Sequence, residues 1–178
     1  PQRVHWCAIN DPTGWTIGTS LSDAQDLKDG GRVRRVAEVG NQVGLILADS
    51  AIRRITFAAG SATTFQVEKL RDDMGILAPN SLVVAAGACF FVSTKGFVMM
   101  TVDGAATFIG EEKVDRTFLG THETSAPLAI RNLAYDTGSL GLIFGAADPR
   151  RNLAFFFYKS KAGVAGRFDR GFVCHWTT

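Results

Sequence analysis

The stretch WCAINDPTGW, from Trp6 to Trp15, places the carboxylate of Asp11 between two indole rings near the start of the chain. A carboxylate beside an aromatic platform is a shape that sugar-binding sites share. The order Asp-Pro-Thr-Gly also meets the residue preferences of a type I turn, and its polar side chains can bond local backbone donors. We therefore predict architecture rather than catalysis, with structural turn residues Asn10, Asp11, Pro12, Gly14 and Trp15.

Other acids do not form a recognisable site. Asp23, Asp26 and Asp29 recur every third residue before two glycines, whereas a calcium loop needs oxygen ligands at alternate positions and a later Glu. A glycoside hydrolase needs two carboxylates about 5–10 Å apart in a cleft. The remaining candidates are adjacent pairs, which strand geometry points apart: Asp72 with Asp73, and Glu111 with Glu112.

Histidines and cysteines also suggest no catalytic or metal site. The chain has no H-x-x-x-H pair, no C-x-x-C pair and an odd number of cysteines, so neither zinc nor a disulfide framework is indicated. We predict no enzyme activity, no catalytic residue, no metal and no cofactor. The histidines and cysteines considered are His5, His122, His175, Cys7, Cys89 and Cys174.

Three arginine pairs are candidates for a subunit interface. Successive residues of a strand face opposite ways, so each pair sends one guanidinium to each face, and the solvent-facing one can meet acids of another subunit. The alternative is a solvated edge that discourages aggregation. The pairs are Arg34 with Arg35, Arg53 with Arg54, and Arg150 with Arg151.

The composition is that of a globular protein with little net charge. Of the 178 residues 46% are hydrophobic and 20% are charged, and the formal charge is +2. This balance gives no support to a nucleic-acid-binding function. No apolar run approaches the roughly 20 residues that span a bilayer.

Short apolar runs broken by Gly, Asn, Asp or Ser predict an almost entirely β structure. The segment LSDAQDLKDGG is the best helix candidate, with Ser22 as a cap, or else an irregular loop. The predicted strands are Arg3–Ile9, Arg32–Val39, Gly44–Ala48, Ile52–Ala58, Thr64–Leu70, Ser81–Ala85, Cys89–Ser93, Phe97–Val102, Ala106–Ile109, Ala129–Ala134, Leu140–Phe144, Leu153–Tyr158 and Gly171–Trp176.

Two segments repeat the same order of strands and turns. The offset between Ala48-Asp49-Ser50 and Ser93-Thr94-Lys95 is about 45 residues, as in a four-stranded propeller blade. We predict a partial β-propeller of about three to four antiparallel blades, with a β-sandwich as the alternative. The blade units are 32–75, 76–120 and 128–178, and 1–31 is the end of a preceding blade plus a linker.

We expect residues 1–178 to be a single propeller portion of a longer chain. A partial ring leaves open strand edges, which other sequence or an assembly must cover. The chain also begins without Met and almost at once in a strand pattern.

In order along the chain, four segments resemble the packaged-DNA stabilisation, or tail hub and nozzle, proteins of tailed bacteriophages. VHWCAINDPTGW is similar to the tryptophan strand and turn of that family, and GLILADSAIRRITFAAG to a blade strand. FFVSTKGFVMMTVDGAATFIGEEKVDRTF and ADPRRNLAFFFY are similar to the segments that follow. The resemblance adds three turn residues to those above: Ser93, Gly96 and Phe97.

The resemblance implies a structural virion protein without catalytic residues. Such subunits form a ring, typically sixfold, that extends the DNA channel, helps to retain packaged DNA and supports fibres or spikes. The implied partners are other copies, portal-adaptor and fibre or spike proteins, and DNA passing through the lumen. The implied location is the virion tail, after assembly in the bacterial cytoplasm. The alternative is a glycan- or protein-binding propeller that uses exposed aromatics, with Trp15 as the leading candidate.

Overall fold

The computed structural model describes residues 2–40, 42–58, 60 and 63–177, which form two compact units, Pro1–Gly75 and Ile76–Thr178. The fold is all-β, as predicted, with four antiparallel sheets. The strands are β1 Arg3–Trp6, β2 Asp23–Asp26, β3 Val33–Gly40, β4 Val43–Ala48, β5 Ile52–Phe57, β6 Phe65–Arg71, β7 Val83–Ala85, β8 Ala88–Ser93, β9 Gly96–Thr101, β10 Ala106–Phe108, β11 Ile143–Asp148, β12 Leu153–Tyr158 and β13 Arg170–His175. The helices are α1 Asp115–Leu119 and α2 Leu128–Arg131, with 3-10 segments at Pro79–Ser81 and Thr137–Leu142.

The first unit contains a two-stranded sheet, β1–β2, and a four-stranded meander in the order β3-β4-β5-β6. Leu45, Ile46 and Leu47 of β4 are fully buried, so this central strand is apolar on both faces. The segment before β3 stabilises the β4–β5 turn, because the Asp49 carboxylate accepts a hydrogen bond of 2.7 Å from Arg32 N. The sheet therefore combines an apolar centre with a turn closed by a carboxylate.

The second unit contains a four-stranded meander, β7 to β10, and a three-stranded sheet, β11-β12-β13. Every residue of β8 is buried, and its Phe90 and Val92 belong to the same apolar core as Phe156 of β12. Helix α1 contributes Phe118 to this core, with its ring 4.7 Å from that of Phe97. The core of this unit is thus built from the facing sides of its two sheets and one short helix.

Each large sheet lies within one of the ranges given above as blade units, and the division of the chain into blades stays a prediction. Residues 32–75 contain the first meander, 76–120 the second, and 128–178 the three-stranded sheet. Residues 1–31 contain the β1–β2 sheet. Four open antiparallel sheets are compatible with a partial propeller and with a β-sandwich, and the single propeller portion over 1–178 remains a prediction.

The predicted helix or loop in LSDAQDLKDGG is wrong, because Asp23–Asp26 is strand β2. It pairs along its whole length with β1, and the Arg3 guanidinium bonds both carboxylate oxygens of Asp26 at 2.6 and 3.0 Å. Ser22, the predicted cap, instead donates its hydroxyl to the Trp6 carbonyl at 3.0 Å. Tertiary pairing outweighs the weak intrinsic strand preference of Asp.

Two predicted strands in the second unit are wrong or displaced. Ala129–Ala134 overlaps helix α2, which starts directly after Pro127, a residue that favours the first turn of a helix. Leu140–Phe144 is mostly the 3-10 segment, and strand pairing begins only at Ile143. Helix α1 was not predicted.

Neither the helices nor the 3-10 segments of the described residues are long and apolar enough to cross a membrane.

Candidate functional site

The loop between the two N-terminal tryptophans closes on its own backbone. Gly14 N donates to the Asp11 carbonyl at 3.1 Å, the bond that the predicted four-residue turn requires. Thr13 donates both its N–H, at 2.9 Å, and its hydroxyl, at 2.6 Å, to the Asp11 carboxylate. The bond from the Thr13 hydroxyl is the largest of the effects that lower the pKa of Asp11. The carboxylate that looked like a sugar-binding group is therefore engaged in shaping the turn.

The two tryptophans have different environments. The Trp15 indole donates to the Pro12 carbonyl at 2.8 Å and meets the His5 ring edge-on at 5.2 Å, yet the side chain remains 51% exposed. The Trp6 indole donates to the Leu21 carbonyl at 3.0 Å, and its ring packs edge-on against Phe65. Trp6 thus anchors the loop, while Trp15 presents half of its ring to the surface.

Asn10 occupies the left-handed region of the backbone, with φ of 59°. Asn is one of the few residues other than Gly that adopt this conformation readily. This position fits the predicted turn function of Asn10.

The second predicted turn joins β8 to β9 through a two-residue loop. The buried Ser93 hydroxyl donates to the Gly96 carbonyl at 2.9 Å and accepts from Lys95 N at 3.0 Å. Gly96 has φ of 126°, which few other residues adopt. Phe97, the third predicted turn residue, donates its N–H to the carboxylate of Asp115 at 2.9 Å.

Asp115 is a structural residue that the sequence analysis did not single out. It begins α1, is 8% exposed, and its carboxylate lies against two glycines. A Cβ on Gly96 would lie 2.2 Å from this carboxylate, and a Cβ on Gly110 would lie 2.1 Å from it. Burial raises the pKa of Asp115, the bond from Phe97 N lowers it, and the charge of Glu111 raises it. No local sequence pattern marks this contact, because Gly96 lies in the preceding hairpin and only Gly110 is near Asp115 in sequence.

The arginine pairs find most of their acid partners within their own unit. Arg34 meets Asp49 at 2.5 Å and Arg54 meets Glu68 at 2.5 Å. Because Arg34 and Arg54 already have acid partners in their own unit, they do not need an acid from another subunit. They are therefore weaker interface candidates than the sequence suggested.

Arg53 is only 3% exposed and bonds to Asp29, so it lies in the interior and not on a surface that a subunit could contact. Its Nη1 atom is buried without a partner among the described residues. Arg151 lies 3.9 Å from Asp148. Arg35 and Arg150 are exposed and form no ion pair among the described residues, so they are the two candidates left for an interface.

The acids considered for calcium are also engaged separately. Asp26 pairs with Arg3, Asp29 pairs with Lys69 at 3.1 Å, and Asp23 accepts from the N–H of its neighbour Ala24 at 2.7 Å. Within the residues that the structure describes, no group of three or more His, Cys, Asp or Glu side chains could hold a metal ion.

A wide cleft of about 750 Å³ opens beside α1 in the second unit. Glu111 and Glu112 line it, together with Asp115 at its buried end and His122, whose Nε2 lies 3.2 Å from the Thr117 hydroxyl. The acids of the other pair lie in the first unit, where Asp72 and Asp73 form ion pairs with basic neighbours. The two acidic pairs therefore belong to different units.

A narrower cavity of about 370 Å³ lies between β10 and β13 of the second unit. Apolar side chains and polar atoms both line it, and Lys113, Cys174 and His175 are among the polar residues. Burial raises the pKa of the Cys174 thiol, although the charge of Lys113 opposes this shift. Burial therefore disfavours the thiolate, which is the nucleophilic form of this side chain.

No family model matches this chain, and a search of curated proteins found no match. Any functional conclusion therefore depends on the geometry described above and on the sequence resemblance.

Proposed function

We propose that this chain is a structural protein of a tailed-bacteriophage virion, part of the tail hub or nozzle ring. The observation that carries the proposal is that the polar side chains of the motifs form hydrogen bonds with the backbone. The carboxylate of Asp11, the hydroxyl of Ser93 and the carboxylate of Asp115 each bond backbone groups of a turn. These are the segments on which the resemblance depends, and in each the polar side chain closes a loop instead of facing a substrate.

The sheet architecture supports the same proposal. A virion ring must keep its shape under load, and antiparallel meanders with buried central strands provide rigid layers. Both four-stranded sheets are such meanders, and β4 and β8 are their buried strands. Of the three arginine pairs, Arg35 and Arg150 are exposed without an ion pair among the described residues, and they are available for contacts between copies in a ring.

In this proposal the chain assembles into a ring, with six copies as the expected number. The ring contacts the portal-adaptor and the fibre or spike proteins, and packaged DNA passes through its lumen without sequence-specific binding. Assembly takes place in the host cytoplasm, and the finished protein resides in the virion tail.

The test is the composition of purified particles. The chain should be present in virions of its source virus at a fixed ratio to the portal protein, measured by quantitative mass spectrometry of density-purified particles. Detection only in the host lysate, or at a ratio that varies between preparations, would contradict the proposal.

A recognition module is the second candidate, favoured by an exposed apolar group in residues 9–21. The side chains concerned are about half exposed, and they are Ile9, Trp15, Ile17 and Leu21. Aromatic and aliphatic surfaces of this kind occur at binding sites.

Glycan-array binding by the purified chain tests this candidate, with Trp15→Ala as the variant and Val164→Ala as the control. Val164 is 68% exposed and lies in the other unit. Saturable binding that is lost in Trp15→Ala and kept in Val164→Ala would favour recognition, and binding unaffected by Trp15→Ala would exclude a Trp15-centred site.

A further inference from the structure

Two exposed apolar patches lie in different units of the chain. Patch A belongs to the N-terminal loop of the first unit, and its side chains are 44–54% exposed. The loop is closed by its own backbone, since Ile9 N donates to the Ser20 carbonyl at 3.2 Å. A second bond, from Ala8 N to the Gly14 carbonyl at 2.7 Å, brings the two ends of the turn together. The side chains of patch A are Ile9, Trp15, Ile17 and Leu21.

Patch B is the outer face of the sheet of β11, β12 and β13, whose opposite face belongs to the core of the second unit. Phe144 lies directly opposite Phe157 in the strand pairing, and the ring of Phe168 lies 6.4 Å from that of Phe157. Val173 lies opposite Phe155, which faces the same side of the sheet as Phe157. The most exposed side chains of patch B are Phe144 at 48%, Phe157 at 39%, Phe168 at 49% and Val173 at 60%.

The two patches are similar in size, and each can form the apolar part of an interface between proteins. Four half-exposed side chains of this kind present roughly 400 Å² of apolar surface. An interface of standard size buries about 800 Å² on each partner, of which a little over half is non-polar. Each patch therefore supplies most of the non-polar area that stable association of two folded proteins requires.

The two patches carry charge of opposite sign. Asp11 is the only charged residue in positions 9–21, and its side chain is exposed. Beside patch B, Arg150 lies in the β11–β12 turn and Arg167 in the loop before β13, and both are exposed without an ion pair among the described residues. The neighbouring Asp148 is balanced by Arg151 at 3.9 Å. Two copies of one patch thus carry like charge, whereas patch A and patch B attract each other.

We propose that copies of this chain associate head to tail, with patch A of one copy packed against patch B of another. Each chain offers both halves of the contact, so repetition of the contact closes a ring or continues as a filament. The apolar side chains supply the affinity, and the opposite charges favour the unlike patch. This contact would join the copies in the ring of the proposed function, but it depends on the two patches alone and not on a virion.

The first test measures the mass of the purified chain by sedimentation velocity over concentrations up to the millimolar range. We expect assemblies of two or more chains whose share rises with concentration, because every copy exposes both patches. A chain that stays monomeric at millimolar concentration would overturn the proposal and assign the patches to another occupant.

Lysine substitutions locate the contact. Ile17→Lys in patch A and Val173→Lys in patch B each place a charge in an apolar contact, so each should weaken self-association at least tenfold. Both side chains are more than half exposed, so neither substitution disturbs the core. The matched controls are Val36→Lys in the first unit and Leu128→Lys in the second, at side chains that are 48% and 62% exposed outside the patches. Both controls should associate like the unsubstituted chain, and equal weakening in patch and control variants would contradict the assignment.

Mixing the two patch variants tests the pairing of unlike surfaces. The Ile17→Lys chain keeps patch B and the Val173→Lys chain keeps patch A, so an equimolar mixture should form a complex with one copy of each. Each variant alone should stay monomeric at the same concentration, and recovery of binding in the mixture also shows that both variants are folded. No complex in the mixture, or self-association that only one of the two substitutions abolishes, would overturn the proposal.

Neutral substitutions test the contribution of charge. Arg150→Gln combined with Arg167→Gln should weaken self-association severalfold and make it less sensitive to salt. Unchanged affinity would refute the preference for the unlike patch by charge. The outcome is separable from that of the proposed function: a chain that self-associates but is absent from virions would reject only the virion function, and a virion protein that stays monomeric in solution would reject only the head-to-tail contact.

Discussion

A substitution at Gly96 measures the free energy cost of crowding the buried Asp115 carboxylate. Its φ of 126° disfavours any side chain, and an added Cβ would lie 2.2 Å from Oδ2 of Asp115. Gly96→Ala therefore costs about 1–3 kcal/mol in backbone strain and about 1–3 kcal/mol more in overlap. We expect the free energy of unfolding of this unit to fall by roughly 2–6 kcal/mol.

The overlap can be separated from the strain by a second substitution. Asp115→Ala removes the atoms that the new methyl group would meet, and it costs about 1.5–3 kcal/mol because Phe97 N loses a bond to a charged acceptor. In the Asp115→Ala background, Gly96→Ala should retain the strain and lose the overlap. The two substitutions should therefore couple favourably by about 1–3 kcal/mol in a double-mutant cycle.

The assay is urea unfolding followed by tryptophan fluorescence. Trp176 is the only tryptophan of the second unit, and its ring lies 5.0 Å from that of Phe90, so a Trp6→Phe and Trp15→Phe background reports this unit alone. Gly141→Ala is the matched control, since a Cβ there meets nothing within 4 Å.

The control should change the unfolding free energy by less than about 1 kcal/mol. A coupling within about 0.5 kcal/mol of zero would refute the reasoning, because Gly96→Ala would then cost the same with and without the carboxylate.

Three further predictions concern acidity, packing and thiol reactivity. The hydrogen bond of 2.9 Å from Lys159 Nζ is the main reason that the pKa of Asp136 is lowered to about 2. The Asp136 carboxylate therefore stabilises the fold above its unfolded pKa of 3.8, and this stabilisation is lost as the pH falls through about 2. Asp136→Asn should flatten the fall of the melting temperature between about pH 5 and pH 2, and parallel curves would contradict this. Phe118→Ala empties a fully buried site and should cost about 3–5 kcal/mol by urea unfolding, whereas Val164→Ala at an exposed site should stay within about 0.5 kcal/mol. Burial raises the pKa of Cys89 to about 12, so peptide mapping after reaction with a disulfide reagent at pH 8 should find it unmodified until urea is added, and rapid native labelling would argue against its burial.

The sequence was informative wherever a strand is apolar throughout. Leu45 to Leu47 and the β8 run of Ala88–Ser93 were predicted within a residue or two, since only a buried central strand accommodates such runs. The turn from Asp11 to Gly14 was equally accessible, because its residue preferences depend on local backbone geometry alone.

The sequence was uninformative where a distant contact decides the conformation. Asp23–Asp26 becomes a strand because β1 lies beside it and Arg3 neutralises Asp26, and neither fact is visible within the segment. Asp115 was missed for a related reason. Its partners Gly96 and Phe97 lie about one hairpin away in sequence, so no local spacing identifies the contact.

A shared physical cause connects the turns of both units. Loops have no ladder to satisfy their backbone N–H groups, so buried or tight turns need side-chain acceptors instead. Asp49 accepts from Arg32 N, Asp169 accepts from Ser160 N at 2.7 Å, and Asp11 accepts from Thr13 N. In the sequence such acids resemble candidate catalytic residues, yet each accepts a hydrogen bond from a backbone N–H of its own chain.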